Sequence, residues 1–147
     1  MRLLNLGAEG NGKHFKYVYV ILPFLLVGLV LLLTSCGSTY VCRGCSENVH
    51  PGNVNCNFQY FDGPFTRSVS ARVGQTLTLN YSATINGGNL EMQIDNPSEK
   101  VVWQKTFNPN ANVTNSTQID IQQNGGYQII VDGHQASGSF KIDWQVN

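Results

Sequence analysis

Two hydrophobic textures divide the chain. Tyr17 to Leu33 is an unbroken, uncharged and almost wholly apolar run of 17 residues with no polar stripe at helical spacing. From Asn57 onward apolar residues alternate with polar ones over short stretches separated by Gly, Asn, Asp and Pro. Alternation with period two predicts half-buried strands, and no stretch has the i, i+3, i+4 spacing of an amphipathic helix.

The strands read in order. Phe58 to Phe61 is a short first one. Ser68 to Val73 sets Val69, Ala71 and Val73 on one face. Thr76 to Ser82 sets Leu77, Leu79 and Tyr81 against Thr76, Thr78 and Asn80. Leu90, Met92 and Ile94 form the next apolar face, then Val101 to Phe107, then Ile119 with Ile121, then Tyr127, Ile129 and Val131. Phe140, Ile142, Trp144 and Val146 form the last. Turns are expected at Gly74-Gln75, Asn86-Gly87-Gly88-Asn89, Asp95-Asn96-Pro97-Ser98, Gly125-Gly126 and Asp132-Gly133-His134, with Asn108 to Asn115 as a polar loop. Seven or eight strands at roughly ten-residue spacing predict an all-β domain, a small antiparallel sandwich of jelly-roll type. Two one-sided sheets bury their apolar faces against each other.

The apolar run changes the picture of where this domain works. Lys13 and Lys16 precede it and Arg2 lies further back. A basic segment followed by an apolar one is the design of a secretory signal, and positive charge holds the N-terminus on the cytoplasmic side. The run ends in Leu33-Thr34-Ser35-Cys36, which resembles the lipobox of bacterial lipoproteins: an aliphatic residue, two small ones, and the cysteine that receives diacylglycerol. That resemblance implies a signal peptide over residues 1–35 and lipidation at Cys36. A retained transmembrane helix is the competing reading, since about 17–25 apolar residues suffice to span a bilayer. Either way the rest of the chain is tethered outside the cytoplasmic membrane, on the cell membrane or an outer membrane.

Residues 36–57 read as a Cys-containing linker and residues 58–147 as the sandwich domain. Cys42-Arg43-Gly44-Cys45, His50 and Cys56 give C-x₂-C-x₄-H-x₅-C. Outside the cytoplasm thiols oxidise, so a disulfide within Cys42, Cys45 and Cys56 is the first expectation. Cys42, Cys45, His50 and Cys56 as a metal set, near the spacing of a zinc knuckle, is the alternative. Ser46 after Cys45 rules out a C-x-x-C-H haem site.

Charge narrows the partners. Formal net charge is zero, and beyond residue 35 six basic and eight acidic side chains leave it slightly negative. No basic stripe exists, which argues against nucleic acid. No Gly-x-Ser-x-Gly, His-Glu-x-x-His or phosphate-cradling loop is present. His134 beside Asp132 reads as a solvated turn, and Asp95, Asp120 and Asp132 as turn-stabilising rather than Ca²⁺-binding. Tyr81, Tyr127 and Trp144 fall on core faces. Trp103 shares a face with Lys105 and is the best candidate for an exposed, ligand-contacting aromatic.

Gly88-Asn89-Leu90-Glu91-Met92-Gln93-Ile94-Asp95-Asn96-Pro97, Val101-Val102-Trp103, Gly125-Gly126-Tyr127-Gln128-Ile129-Ile130-Val131 and Gly138-Ser139-Phe140-Lys141-Ile142-Asp143-Trp144 together resemble GOLD-like and bacterial pre-peptidase C-terminal sandwiches. The resemblance covers about Val69 to Val146. It implies a non-catalytic accessory domain and transfers no binding residue. The expectation is therefore an envelope-tethered, non-enzymatic module without a cofactor, held to the membrane by lipid and binding a protein or a glycan. The alternative is a redox or metal-binding lipoprotein built on the cysteine cluster.

Overall fold

A computed structural model describes residues 40–147. Residues 1–35, where a signal peptide is expected, and Cys36 lie outside the described residues.

The described residues form seven strands: β1 (Val41–Arg43), β2 (Ser46–His50), β3 (Asn53–Ala71), β4 (Thr76–Asp95), β5 (Val101–Phe107), β6 (Ala111–Asp120) and β7 (Gly125–Val146). Every pairing is antiparallel. Three strands are exceptionally long, at 19, 20 and 22 residues for β3, β4 and β7. A straight strand of such length would reach about 60 Å, several times the radius of a domain this size. These strands bend instead. Register breaks between Phe58 and Gly63 in β3 and between Ile85 and Asn89 in β4, each facing the same stretch of β7.

The bends divide the ladders into two sheets. In the first the order is β2, the start of β3, the end of β7, the start of β4, and β6. In the second it is β1, the end of β3, the start of β7, the end of β4, and β5. Aromatic pairs cross between the two. Tyr81 of the first sheet meets Trp103 of the second at 5.2 Å, and Phe140 of the first meets Phe65 of the second at 6.3 Å. The fold is thus a small antiparallel β-sandwich, as the alternation predicts.

The phase of the buried positions records the bends. In β4, Leu77, Leu79, Tyr81, Ala83 and Ile85 are buried, and beyond the bend Leu90, Met92 and Ile94. In β3 the series Val54, Cys56, Phe58 gives way to Phe61, Phe65, Val69, Ala71. In β7, Tyr127, Ile129 and Val131 give way to Phe140 and Ile142. Each series changes parity once. A slip of one residue flips a strand's faces, and a bulge makes that slip. Both halves of each long strand therefore bury their apolar side against one core. Gly138 sits at this corner with φ 141°, and a Cβ there would run into the Thr84 carbonyl.

Three expectations are corrected. Asn86–Asn89 and Asp132–His134 are corners inside continuous strands, not hairpin turns. The polar loop after β5 is shorter than expected, because Ala111–Asp120 pairs with the first half of β4. The segment read as a linker supplies β1, β2 and the start of β3, so the sheets reach back to Val41 rather than to residue 58. Its Asn and Ser residues obscured the alternation, and Pro51-Gly52, with Gly52 at φ 81°, makes a tight turn between β2 and β3.

Candidate functional site

The outer face of the first sheet is uniformly polar. Cross-strand register lines up Asn48, Asn55, Lys141, Ser82 and Thr114 in one row. The next row is His50, Asn53, Asp143, Asn80 and Ser116, and on the other side lie Ser46, Asn57, Ser139, Thr84 and Asn112. None of these positions carries an aliphatic, Phe, Tyr or Trp side chain. Only Lys141 and Asp143 carry fixed charge. Strands about 4.8 Å apart make this array about 19 Å wide.

The charge sits at the centre and is neutralised there. Lys141 Nζ lies 2.8 Å from Asp143 Oδ2, and Asn53 Nδ2 donates to Asp143 Oδ1. Asp143 is partly desolvated, which pushes its carboxyl up, but the Lys141 and Asn53 hydrogen bonds and the Lys141 charge outweigh that and hold it below its ordinary value. It stays an acceptor at neutral pH, beside two donors. Next to this triad is a shallow depression of about 440 Å³ lined by Asn80, Ser82, Thr114, Ser116, Lys141 and Asp143, and also by Tyr81 and Asn115.

The second sheet's outer face differs. There Pro64, Asp132, Glu91 and Thr106 form one row and Thr66, Ile130, Gln93 and Gln104 the next. It mixes apolar side chains with carboxylates, so the chemistry of the first face is not a general property of the surface.

The residues singled out from sequence are placed as follows. Cys42 and Cys45 form a disulfide with Cα atoms 5.9 Å apart, inside the range such bonds require. Cys56 is a free, buried thiol facing the core. Burial, reinforced by the Glu47 carboxylate, pushes it up to about 11. His50 ends β2 on the outer face. The four are not brought to one point, two of the three thiolates are consumed in a disulfide, and no cluster of His, Cys, Asp or Glu among the described residues could hold a metal ion.

Trp103 is half-buried and packs against the core. It pairs with Ile94 across β4 and turns its ring onto Tyr81, away from the polar face. Tyr81 and Tyr127 are buried and Trp144 is partly buried against the core. Asp95 accepts from Gln93 at 2.7 Å in the second sheet, and in the first sheet Asp120 accepts from its register partner Thr76 Oγ1 at 3.5 Å. Asn96 Oδ1 accepts from the Ser98 and Lys100 amides, closing the turn before β5 as an Asx side chain does. His134 is exposed at the corner.

Sequence reading assigns no role to Asn53, Lys141 or Asp143, nor to a cluster at the open edge between β1 and β2. There Tyr40 Oη donates to Glu47 Oε2 at 3.1 Å, Arg67 Nη2 stands 3.6 Å from Glu47 Oε1, and the Arg67 guanidinium lies 4.3 Å over the Phe65 ring. Partial burial, then the Glu47 hydrogen bond and charge, raise the Tyr40 hydroxyl above its ordinary value.

The fold and face define the class of molecule: a jelly-roll-like antiparallel sandwich with one polar, hydrogen-bonding face whose only two fixed charges are paired with each other. No family model matches the chain, and no curated protein does. Among solved structures it is similar to one described as "CBM4 structure and function", at 12% identity and TM-score 0.48, covering 77% of this chain and 80% of that one. It is also similar to the carbohydrate binding module CBM6cm-2 from Cellvibrio mixtus lichenase 5A in complex with cellotriose. That likeness is 12% identity and TM-score 0.44, covering 75% of this chain and 89% of that one. A third is the CBM22-1 xylan-binding domain from Paenibacillus barcinonensis Xyn10C, at 10% identity and TM-score 0.39, covering 76% and 87%. No residue role carries over from likenesses at this level.

Proposed function

We propose that this chain is a lipid-anchored, extracytoplasmic binding module, without catalysis of its own, that holds a neutral glycan on the outer face of its first sheet. The observation that carries the reading is the face itself: rows of amides and hydroxyls around the Lys141–Asp143–Asn53 triad, with no apolar member. Sugar hydroxyls both donate and accept. Asn, Gln, Ser and Thr side chains do the same, and a carboxylate beside an ammonium can take both ends of a vicinal diol.

Other ligand classes fit less well. Protein interfaces are enriched in aromatics, Met and Arg and depleted in Ser and Lys, the reverse of this face. A polyanion needs several cations, and Lys141 is the face's one fixed positive charge, already paired with Asp143. The lipid anchor is supported by the apolar run and Leu33-Thr34-Ser35-Cys36. The Cys42–Cys45 disulfide fits an oxidising compartment.

The test is depletion of the detergent-purified full-length protein from solution by insoluble neutral polysaccharides, with acidic polysaccharides as controls. Retention on at least one neutral polymer and not on the acidic ones is expected. Equal retention on both, or on none of a broad neutral panel, would refute the reading.

A further inference from the structure

We propose that the Cys42–Cys45 disulfide is a reducible clasp that keeps the β1–β2 edge closed over the Cys56 thiol. The two strands are edges of different sheets. β1 pairs only with Tyr60–Asp62 of β3, and β2 only with Asn53–Asn57. Three and five residue pairs are all that hold them in the ladders. The disulfide closes the sharp Arg43-Gly44 turn where the chain passes from one sheet to the other, with Gly44 at φ 62°.

Access is asymmetric. Cys45 is exposed, whereas Cys42 packs against the core. Every residue of β2 is exposed, yet Cys56, which it covers from one side, is only 4% exposed. On β3 the thiol lies between Glu47 of β2 and Phe140 of β7. β7 is a central strand, so β2 is the side that can lift. The Tyr40–Glu47–Arg67 contacts are the other tie across that edge, and both are partly or wholly solvent-exposed, where such contacts hold weakly.

The chemistry needs an external dithiol. One of its thiolates attacks Cys45 Sγ, forming a mixed disulfide and expelling Cys42 as a thiolate that takes up a proton. The second thiol of the reagent then displaces Cys45, which is also protonated, and leaves as a cyclic disulfide. Two electrons and two protons pass to the protein. Opening β2 would also loosen Ser46, Asn48 and His50, the first member of each polar row. That consequence for ligand binding rests on the glycan reading; the clasp itself does not.

The experiment times iodoacetamide modification of Cys56 in native full-length protein, read on its own peptide by mass spectrometry. Samples are the oxidised protein, the same protein after dithiothreitol, and a Cys42→Ser/Cys45→Ser double variant. Cys56 is expected to react at least ten-fold faster in the second and third than in the first. Trp103→Ala, which loosens the core at the opposite edge with the disulfide intact, is expected to leave that rate within about two-fold of the oxidised protein. A Cys56 rate unchanged on reduction would overturn the clasp, as would an equal acceleration in Trp103→Ala. Reduced wild type serves as the readout should the double variant not fold. Because no glycan enters the assay, its result stands apart from the fate of the polar face.

Discussion

Tyr81 and Trp103 belong to opposite sheets, and their rings meet at 5.2 Å and 53°. Phe107 joins Tyr81 at 6.0 Å. This cluster closes the β5–β6 side of the sandwich as Phe58, Phe61, Phe65 and Phe140 close the other. Tilted ring pairs contribute about 0.5–1.5 kcal/mol beyond the area they bury. Trp103→Ala is therefore expected to destabilise the domain by about 1–3 kcal/mol, less than a fully buried Trp would cost. Glycan affinity should stay unchanged. Thermal unfolding and polysaccharide depletion on the same variant check both halves.

The corners make a sharper prediction. At Gly138 an added Cβ faces the Thr84 carbonyl as well as an unfavourable φ of 141°, whereas at Gly74, with φ 89°, it meets open space. Gly74→Ala carries only the conformational cost, about 1–2 kcal/mol. Gly138→Ala adds a backbone clash between the two central strands of the first sheet and is expected to cost at least about 3 kcal/mol. Paired denaturant titrations distinguish them, and equal costs would contradict the corner geometry.

Two groups bound the stability profile in pH. Asp143 is held below its ordinary value by Lys141 and Asn53 against partial desolvation. Its contribution is present above the unfolded carboxylate pKa and is lost as pH falls through the lowered folded one. The contribution is small because both partners are well exposed. Cys56 is raised from 9.0 to about 11 by burial and Glu47. The folded protein keeps this proton where the unfolded chain releases it, so stability is full below pH 9.0 and falls as pH rises toward 11. The loss should amount to roughly 2–3 kcal/mol at about 1.4 kcal/mol per pKa unit. Cys56→Val should remove the Cys56 part of the alkaline loss, leaving the part due to the raised Tyr40 hydroxyl, and Asp143→Asn should remove the Asp143 part of the acid loss, each seen as a wild-type-minus-variant difference in melting temperature across pH.

Much of the sandwich was legible in the sequence, because burial on one face writes itself as period-two alternation. Leu77, Leu79 and Tyr81, or Tyr127, Ile129 and Val131, need no partner to be recognised. The joins were not legible. At Ile85–Leu90 and Val131–Ala136 the alternation changes phase through Gly, Asn and His, and a bulged corner and a hairpin leave the same local mark. Trp103 and Lys105 do share a face, pairing with Ile94 and Met92 of β4, but the packing of the Trp103 ring onto Tyr81 could not be read from that alternation. The polar face was legible only as scattered outward residues. Asn53 and Asp143 lie 90 positions apart, and only the register between β3 and β7 makes them neighbours.

The anchor has its own test. Cys36→Ala is expected to move the protein from the membrane fraction to the soluble extracytoplasmic one or to leave the leader uncleaved. Mass spectrometry of the mature wild-type N-terminus should show a diacylglyceryl cysteine at residue 36. An intact leader without acyl groups would return the segment to a transmembrane helix.

The most direct test of the polar face is affinity electrophoresis of wild type and Asp143→Ala in gels containing the neutral polysaccharide that best depletes the protein. Wild type should be retarded in proportion to polymer concentration. Asp143→Ala, which loses a charge-assisted acceptor of about 1.5–3 kcal/mol, should bind at least ten-fold more weakly while unfolding at nearly the wild-type temperature in neutral buffer. Equal retardation of the two proteins would show that the ligand does not lie on this face.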